Sequence, residues 1–122
     1  MNPRIIAAGA FLGASGVMGG AFATHALKGH LGIEQLGWWQ TAVQYQLWHA
    51  LALLLTAALP LRRPEPIAWL FGLGAVIFSG SLYLMALGAP RWFGAITPIG
   101  GLSLIAGWLM LGWTALRQRD PG

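Results

Sequence analysis

Gly37-Trp38-Trp39-Gln40-Thr41-Ala42-Val43-Gln44-Tyr45-Gln46-Leu47-Trp48-His49-Ala50-Leu51 is the stretch that decides how this chain folds. With the leucine-rich run that follows it, the segment is long enough to cross a bilayer. Its first half nevertheless carries glutamines, a threonine, a tyrosine and a histidine, which a lipid-facing helix excludes because hydrocarbon offers no hydrogen-bond partner. Those side chains need protein or water beside them. The rest of the chain reads as three further helices that supply it.

Composition points the same way. Hydrophobic residues make up 57% of the 122 and charged residues only 8%, against about a quarter charged in a soluble domain. The expectation is an all-α integral membrane four-helix bundle forming a single domain over residues 1–122, with short loops. The absence of cysteine excludes disulfides, thiolate metal sites and cysteine nucleophiles. A net charge of +4 could suggest nucleic acid, but the seven basic residues are scattered singly or as a pair between apolar runs. They read as topology signals, and no nucleic-acid partner is expected.

In chain order, Ile5 to about His25 is an uncharged run suited to one crossing. Ala21-Phe22-Ala23 resembles a signal-peptidase site, but the run before it is longer than a usual signal core and is broken throughout by glycine. Gly9, Gly13, Gly16 and Gly20 are spaced for close backbone approach by another helix, and packing inside the bundle is the preferred reading over a dimer motif. Leu31 to Leu36 reads as a short interfacial segment, and the second helix as about 38–59. Pro66 suits the first turn of a third helix at about 66–87. Thr97-Pro98 reads as an N-cap followed by the first residue of a fourth helix, at about 97–116.

An even number of crossings gathers Arg4, Arg62, Arg63, Arg117 and Arg119 on one side, against Lys28 and Arg91 on the other. The positive-inside rule then makes both termini cytoplasmic. Compared by depth, the polar residues fall on the outer side. Thr41, Gln44, Tyr45 and His49 recur at helical spacing on the second helix. Ser79, Ser81 and Tyr83 lie in the outer half of the third, and Thr97 and His25 mark outer helix ends. The expectation is a polar cluster open to the outside, a candidate site for a small ligand or lipid headgroup.

His49 is the one ionisable residue expected deep in a span, so paired-carboxylate catalysis and carboxylate proton relays lack their parts. Its bland reading is a neutral imidazole hydrogen-bonded between helices to Gln or Ser. His25 and His49 differ in depth by roughly ten residues, about 15 Å, too far to share a metal ion. A dyad of His49 with Ser79 or Ser81 would lack an acidic orienter, and serines beside glycine in membrane helices more often serve packing. Neither a cofactor nor an enzymatic activity is expected.

Several motifs, in order and over nearly the whole chain, resemble one family. They are Gly20-Ala21-Phe22-Ala23-Thr24-His25-Ala26-Leu27-Lys28, then Thr41 to Gln46 with His49 to Leu54, then Phe78-Ser79-Gly80-Ser81-Leu82-Tyr83, then Gly94 to Gly101 with Gly107-Trp108. The chain is similar to the domain-of-unknown-function 423 family of small bacterial membrane proteins, related to vertebrate transmembrane protein 256. It departs from the family at Ala23-Thr24-His25, where Gly-Ala-His is usual. The resemblance implies a multi-pass protein of the bacterial inner membrane and carries over no enzyme activity. The functional expectation is therefore a non-enzymatic membrane protein with a binding cluster. The alternatives are a small-solute transporter or channel component, or an accessory subunit of a larger complex. Besides the bilayer, the partners expected are a second copy or another membrane protein on the glycine-rich helix faces.

Overall fold

The computed structural model describes residues 1–118. The chain is all-helical, with α1 over Pro3–Phe22, α2 over Ile33–Ala58, α3 over Glu65–Ala86 and α4 over Thr97–Arg117. A π turn, Ala23–Leu27, extends α1, and a 3-10 turn, Arg91–Ala95, leads into α4. Three of these stretches are long and apolar enough to cross a membrane: Pro3–Leu27, Glu65–Ala86 and Arg91–Arg117. The more polar α2 is outside that set, although its 26 residues make it the longest α-helix.

Local chemistry sets the helix ends. The Asn2 side chain accepts from the backbone N–H groups of Arg4 (2.9 Å) and Ile5 (3.4 Å), and Pro3 follows where no N–H is needed. This cap starts α1 two residues before the Ile5 expected from hydropathy. α2 begins at Ile33, five residues before the expected Trp38, so Leu31 to Leu36 is not a separate interfacial segment. Glu34 complements the positive end of α2, and Leu36 packs with Trp39 against the cluster of Ala23, Leu27, Val43 and Ala86. Gly29, at φ +92°, and Gly88, at φ +112°, take the left-handed backbone that lets the chain turn after the π turn and after α3.

Thr97 is not an N-cap. A cap residue needs extended backbone, but the 3-10 turn delivers Ile96 already helical, at φ −79° and ψ −36°. Thr97 is thus the first residue inside α4, and its hydroxyl points to Ser81 on α3, 2.6 Å away. Arg119, counted above among the terminal charges, lies outside the described residues.

Each helix packs on its neighbours in sequence: α1 on α2, α2 on α3, and α3 on α4. α1 touches α3 only lightly, and α1 and α4 occupy opposite flanks, so the expected bundle is open rather than closed. α2 runs antiparallel between α1 and α3. Its Ala50, Leu47 and Val43 meet Gly9, Gly16 and Gly20 of α1, while its Ala42 and His49 meet Ser79 and Phe71 of α3. The glycines of α1 therefore serve contacts within the chain. A Cβ on Gly9 would lie 3.0 Å from the carbonyl oxygen of Ala50.

The α3–α4 seam is closer still. A Cβ on Gly100 would lie 2.8 Å from the Phe78 Cα and 2.9 Å from the Gly74 oxygen, and one on Gly107 would lie 2.8 Å from the Phe71 ring. At the end that carries the termini, Ile5, Leu53, Ala57, Ile67, Phe71 and Leu104 form the main apolar core. Gln118 closes that end over the α2–α3 turn. Its Oε1 accepts from the Arg62 N–H at 2.7 Å, and its Nε2 donates to the Pro60 carbonyl.

Gly100→Val should lower stability by about 1–3 kcal/mol, because backbone atoms fill the space a side chain would need. Gly112, with open space around it, should accept alanine within about 0.5 kcal/mol. Detergent melting curves of the two variants check this contrast.

Candidate functional site

The centre of the polar structure is Gln46. Trp39, Ala42, Val43, Gln46, Ala50 and Leu53 follow helical spacing on α2 and are all buried. This stripe faces α1 and α3, so Gln46 arrives between them. Its Nε2 donates to the Leu12 carbonyl (3.0 Å) and the Ser15 hydroxyl (2.7 Å), and its Oε1 accepts from the Tyr83 hydroxyl (2.6 Å). One carboxamide thus joins three helices. Beside it, the Trp39 indole N–H donates to the Gly19 carbonyl at 2.9 Å, with its ring edge-on to Tyr83 at 4.5 Å.

Reading the sequence singled out Gln44 and passed over Gln46. The polar stripe of Thr41, Gln44 and Tyr45 drew that choice, whereas the side facing the other helices is marked by small residues, Ala42 and Ala50. Gln44 is exposed and makes no hydrogen bond to another described residue, and Thr41 is half-buried.

The remaining expected residues separate into pairs. Ser79, buried on α3, donates to the Ala42 carbonyl at 2.7 Å, and Ser81 bonds Thr97. Tyr45 packs its ring against Phe78 (4.5 Å) and Trp48 (5.1 Å). His25 is exposed in the π turn beyond α1 and joins none of these groups.

His49 is buried between α2, α3 and α4. Its Nδ1 lies 2.7 Å from the Tyr45 carbonyl, and its Nε2 lies 3.0 Å from the Trp108 indole nitrogen. An indole N–H can only donate, so Nε2 must present its lone pair and Nδ1 must carry the proton. The imidazole is neutral in this arrangement, as the bland reading has it, but its partner is Trp108 rather than Gln or Ser. Phe71 completes the ring cluster, 5.7 Å from His49 and 4.9 Å from Trp108. No hydrogen bond links His49 to Ser79 or Ser81, whose hydroxyls bond the partners already named. Among the described residues, no three His, Asp or Glu side chains converge as metal ligands do.

A groove runs between α1 and α3 with α2 as its floor. Its outer section, about 370 Å³, is walled by Ser15, Gly19, Trp39, Gln46, Gly80 and Tyr83. The inner section, about 590 Å³, runs past Leu53, Trp69 and Gly72 to Arg4 and Glu65. The two sections share Phe11, Leu12 and Val76, so they adjoin. From Arg4 to Gly19 the groove follows α1 for roughly 22 Å at 1.5 Å per residue. Gly72 and Gly80 hollow its α3 wall, for a Cβ on either would meet nothing within 4 Å.

Comparison with known proteins gives a consistent set of matches. The family described as "Protein of unknown function (DUF423)" matches residues 19–101. A UPF0382 membrane protein of Staphylococcus haemolyticus is 47% identical over 95 residues, covering 75% of this chain and 78% of the relative. The UPF0382 inner membrane protein YgdD of Escherichia coli K12 is 39% identical over 109 residues, covering 84% of this chain and 82% of its own length. No solved structure matches. The family segment contains Gln46, His49, Ser79, Tyr83 and Thr97, but ends short of Trp108 and begins after Ser15.

Two predictions follow from this geometry. Gln46→Leu leaves the Tyr83 hydroxyl without its acceptor and removes the bond that Ser15, itself donating to the Phe11 carbonyl, accepts; it should cost about 1–2 kcal/mol, near the upper range for interhelical bonds in membranes. In a cycle with Tyr83→Phe the effects should be less than additive, and detergent melting of the four proteins measures this. His49→Ala should destabilise by about 2 kcal/mol or more, since it opens a cavity among Phe71, Tyr45 and Trp108 and orphans the indole N–H. The exposed His30 should tolerate alanine within about 0.5 kcal/mol.

Proposed function

The chain belongs to the DUF423 family of membrane proteins, and from that footing we propose a four-span, non-enzymatic protein that binds the hydrocarbon chain of a membrane amphiphile between α1 and α3. α2 is the fourth span in this reading, because it accompanies α1 and α3 along their length and leaves its polar residues covered at Gln46 and His49. Among the described residues, Arg4, Arg62, Arg63 and Arg117 gather at one end, against Lys28 and Arg91 at the other. That asymmetry supports cytoplasmic termini.

The observation that carries the binding reading is the groove of two adjoining sections with its glycine hollows at Gly72 and Gly80. Its walls are chiefly apolar and it opens sideways toward the bilayer, which suits an acyl or similar chain. Of the expected outward-facing polar cluster, Ser79 and Tyr83 wall its outer section, beside Gln46 and Ser15. Tyr83, Gln46 and Ser15 bond one another and tie the groove's helices together there. Conduction is the weaker reading. A pore needs polar lining along its whole length, whereas the groove's inner section is lined between Arg4 and Phe11 by apolar residues such as Ile5, Ala8, Leu53 and Leu73.

Native mass spectrometry of gently extracted protein tests the proposal. Wild type should retain a lipid-sized mass through detergent exchange, and Gly72→Leu/Gly80→Leu, which fills the hollows, should lose it while keeping its helical content. Equal retention, or none by either protein, would remove the groove as a binding site.

A further inference from the structure

We propose that the face of α2 turned away from the groove pairs with the same face of a second copy of this chain, around Gln44. Gln40, Gln44, Trp48, Leu51 and Leu55 follow one another at intervals of four, four, three and four residues, and all are exposed. That spacing is the seam of a left-handed helix pair. α1 and α3 cover the neighbouring sides of α2, so this seam is a long strip of the helix without a partner among the described residues.

Gln44 makes the strip unlike an ordinary lipid-facing surface. Where α2 spans the membrane as proposed above, Gln44 stands near the middle of its 26 residues, inside the hydrocarbon half-thickness of about 15 Å. Its carboxamide bonds no other described residue, and hydrocarbon offers neither donor nor acceptor. At the same depth, Gln46 shows how this fold treats an amide: every polar atom of it is engaged. A partner is required, and one that both donates and accepts.

A second copy meets that requirement without any further assumption. All copies insert with the same orientation, so a two-fold axis along the membrane normal sets two α2 helices parallel and brings equal depths together. Gln44 then faces Gln44 of the second copy, each amide donating to the other's oxygen. Trp48, Leu51 and Leu55 continue the contact below, where only dispersion and shape matter. Gln40, one turn outward, extends the polar half toward the headgroups. This pairing is independent of what occupies the groove, which lies on the other side of α2.

The chain has no cysteine, so single cysteines report the contact directly in native membranes. Under mild oxidation Leu51→Cys should form a disulfide-linked species of twice the chain mass. Ile105→Cys, equally exposed on α4, should not. Adding Gln44→Leu to Leu51→Cys should weaken pairing about 5- to 30-fold, the range for one interhelical polar contact in a membrane, measured by dilution of labelled protein in liposomes. Unchanged pairing after Gln44→Leu, equal cross-linking at Leu51 and Ile105, or cross-linking of Leu51→Cys to a different protein would each overturn the proposal.

Discussion

A buried carboxamide must find its partners inside the protein, and the arrangement of α1, α2 and α3 depends on how Gln46 finds them. Its hydrogen bonds reach a carbonyl and a hydroxyl on α1 and a phenol on α3. Apolar packing between membrane helices carries no hydrophobic drive, because lipid tails are as good a neighbour as leucine. Directional bonds and close backbone approach must therefore fix which helix faces which. Gln46 supplies the first, and Gly9, Gly16 and Gly100 supply the second. No buried side-chain nitrogen or oxygen among the described residues is left without a partner.

The two broad faces of the helical layer differ in what fills them. Over α3, between α2 and α4, the space is packed by the rings of Tyr45, Phe78, His49 and Trp108. Over α2, between α1 and α3, it is left as a groove, since α3 presents glycine at 72 and 80 where α4 presents tryptophan to the other crevice. This difference in side-chain size at corresponding places gives the molecule one closed and one open side.

Helix number and approximate spans were legible in the sequence because hydropathy and length act on each segment alone. The role of the α1 glycines was legible too, since their spacing demands a close neighbour. What stayed hidden depended on which side of a helix faces inward. Thr41, Gln44 and Tyr45 form a stripe as regular as the one containing Gln46. Polarity favours the former as a site, whereas burial follows the small residues Ala42 and Ala50. The partner of His49 was hidden for a similar reason: Trp108 stands on another helix, far off in sequence, and its single N–H became informative only once the two rings were adjacent. Thr97 looked like a cap because threonine followed by proline is a usual start of a helix. The helical geometry of Ile96 freed its hydroxyl for Ser81.

Packing each helix against its neighbour in sequence has a consequence for how the molecule is made. Contacts are local in chain order, so the architecture can grow as the helices leave the insertion machinery, without waiting for distant segments. The α1–α2 hairpin can close on its glycine face while α3 is still being synthesised. At that stage the amide of Gln46 has its α1 acceptors but lacks the phenol of Tyr83, and this half-filled valence selects α3 as the next helix to dock. α4 comes last. It brings the indole that occupies His49 and, at its end, the amide of Gln118 that clasps the turn between α2 and α3. Polar groups are thereby satisfied in the order of synthesis, and the amide of Gln118 locks a turn made two helices earlier.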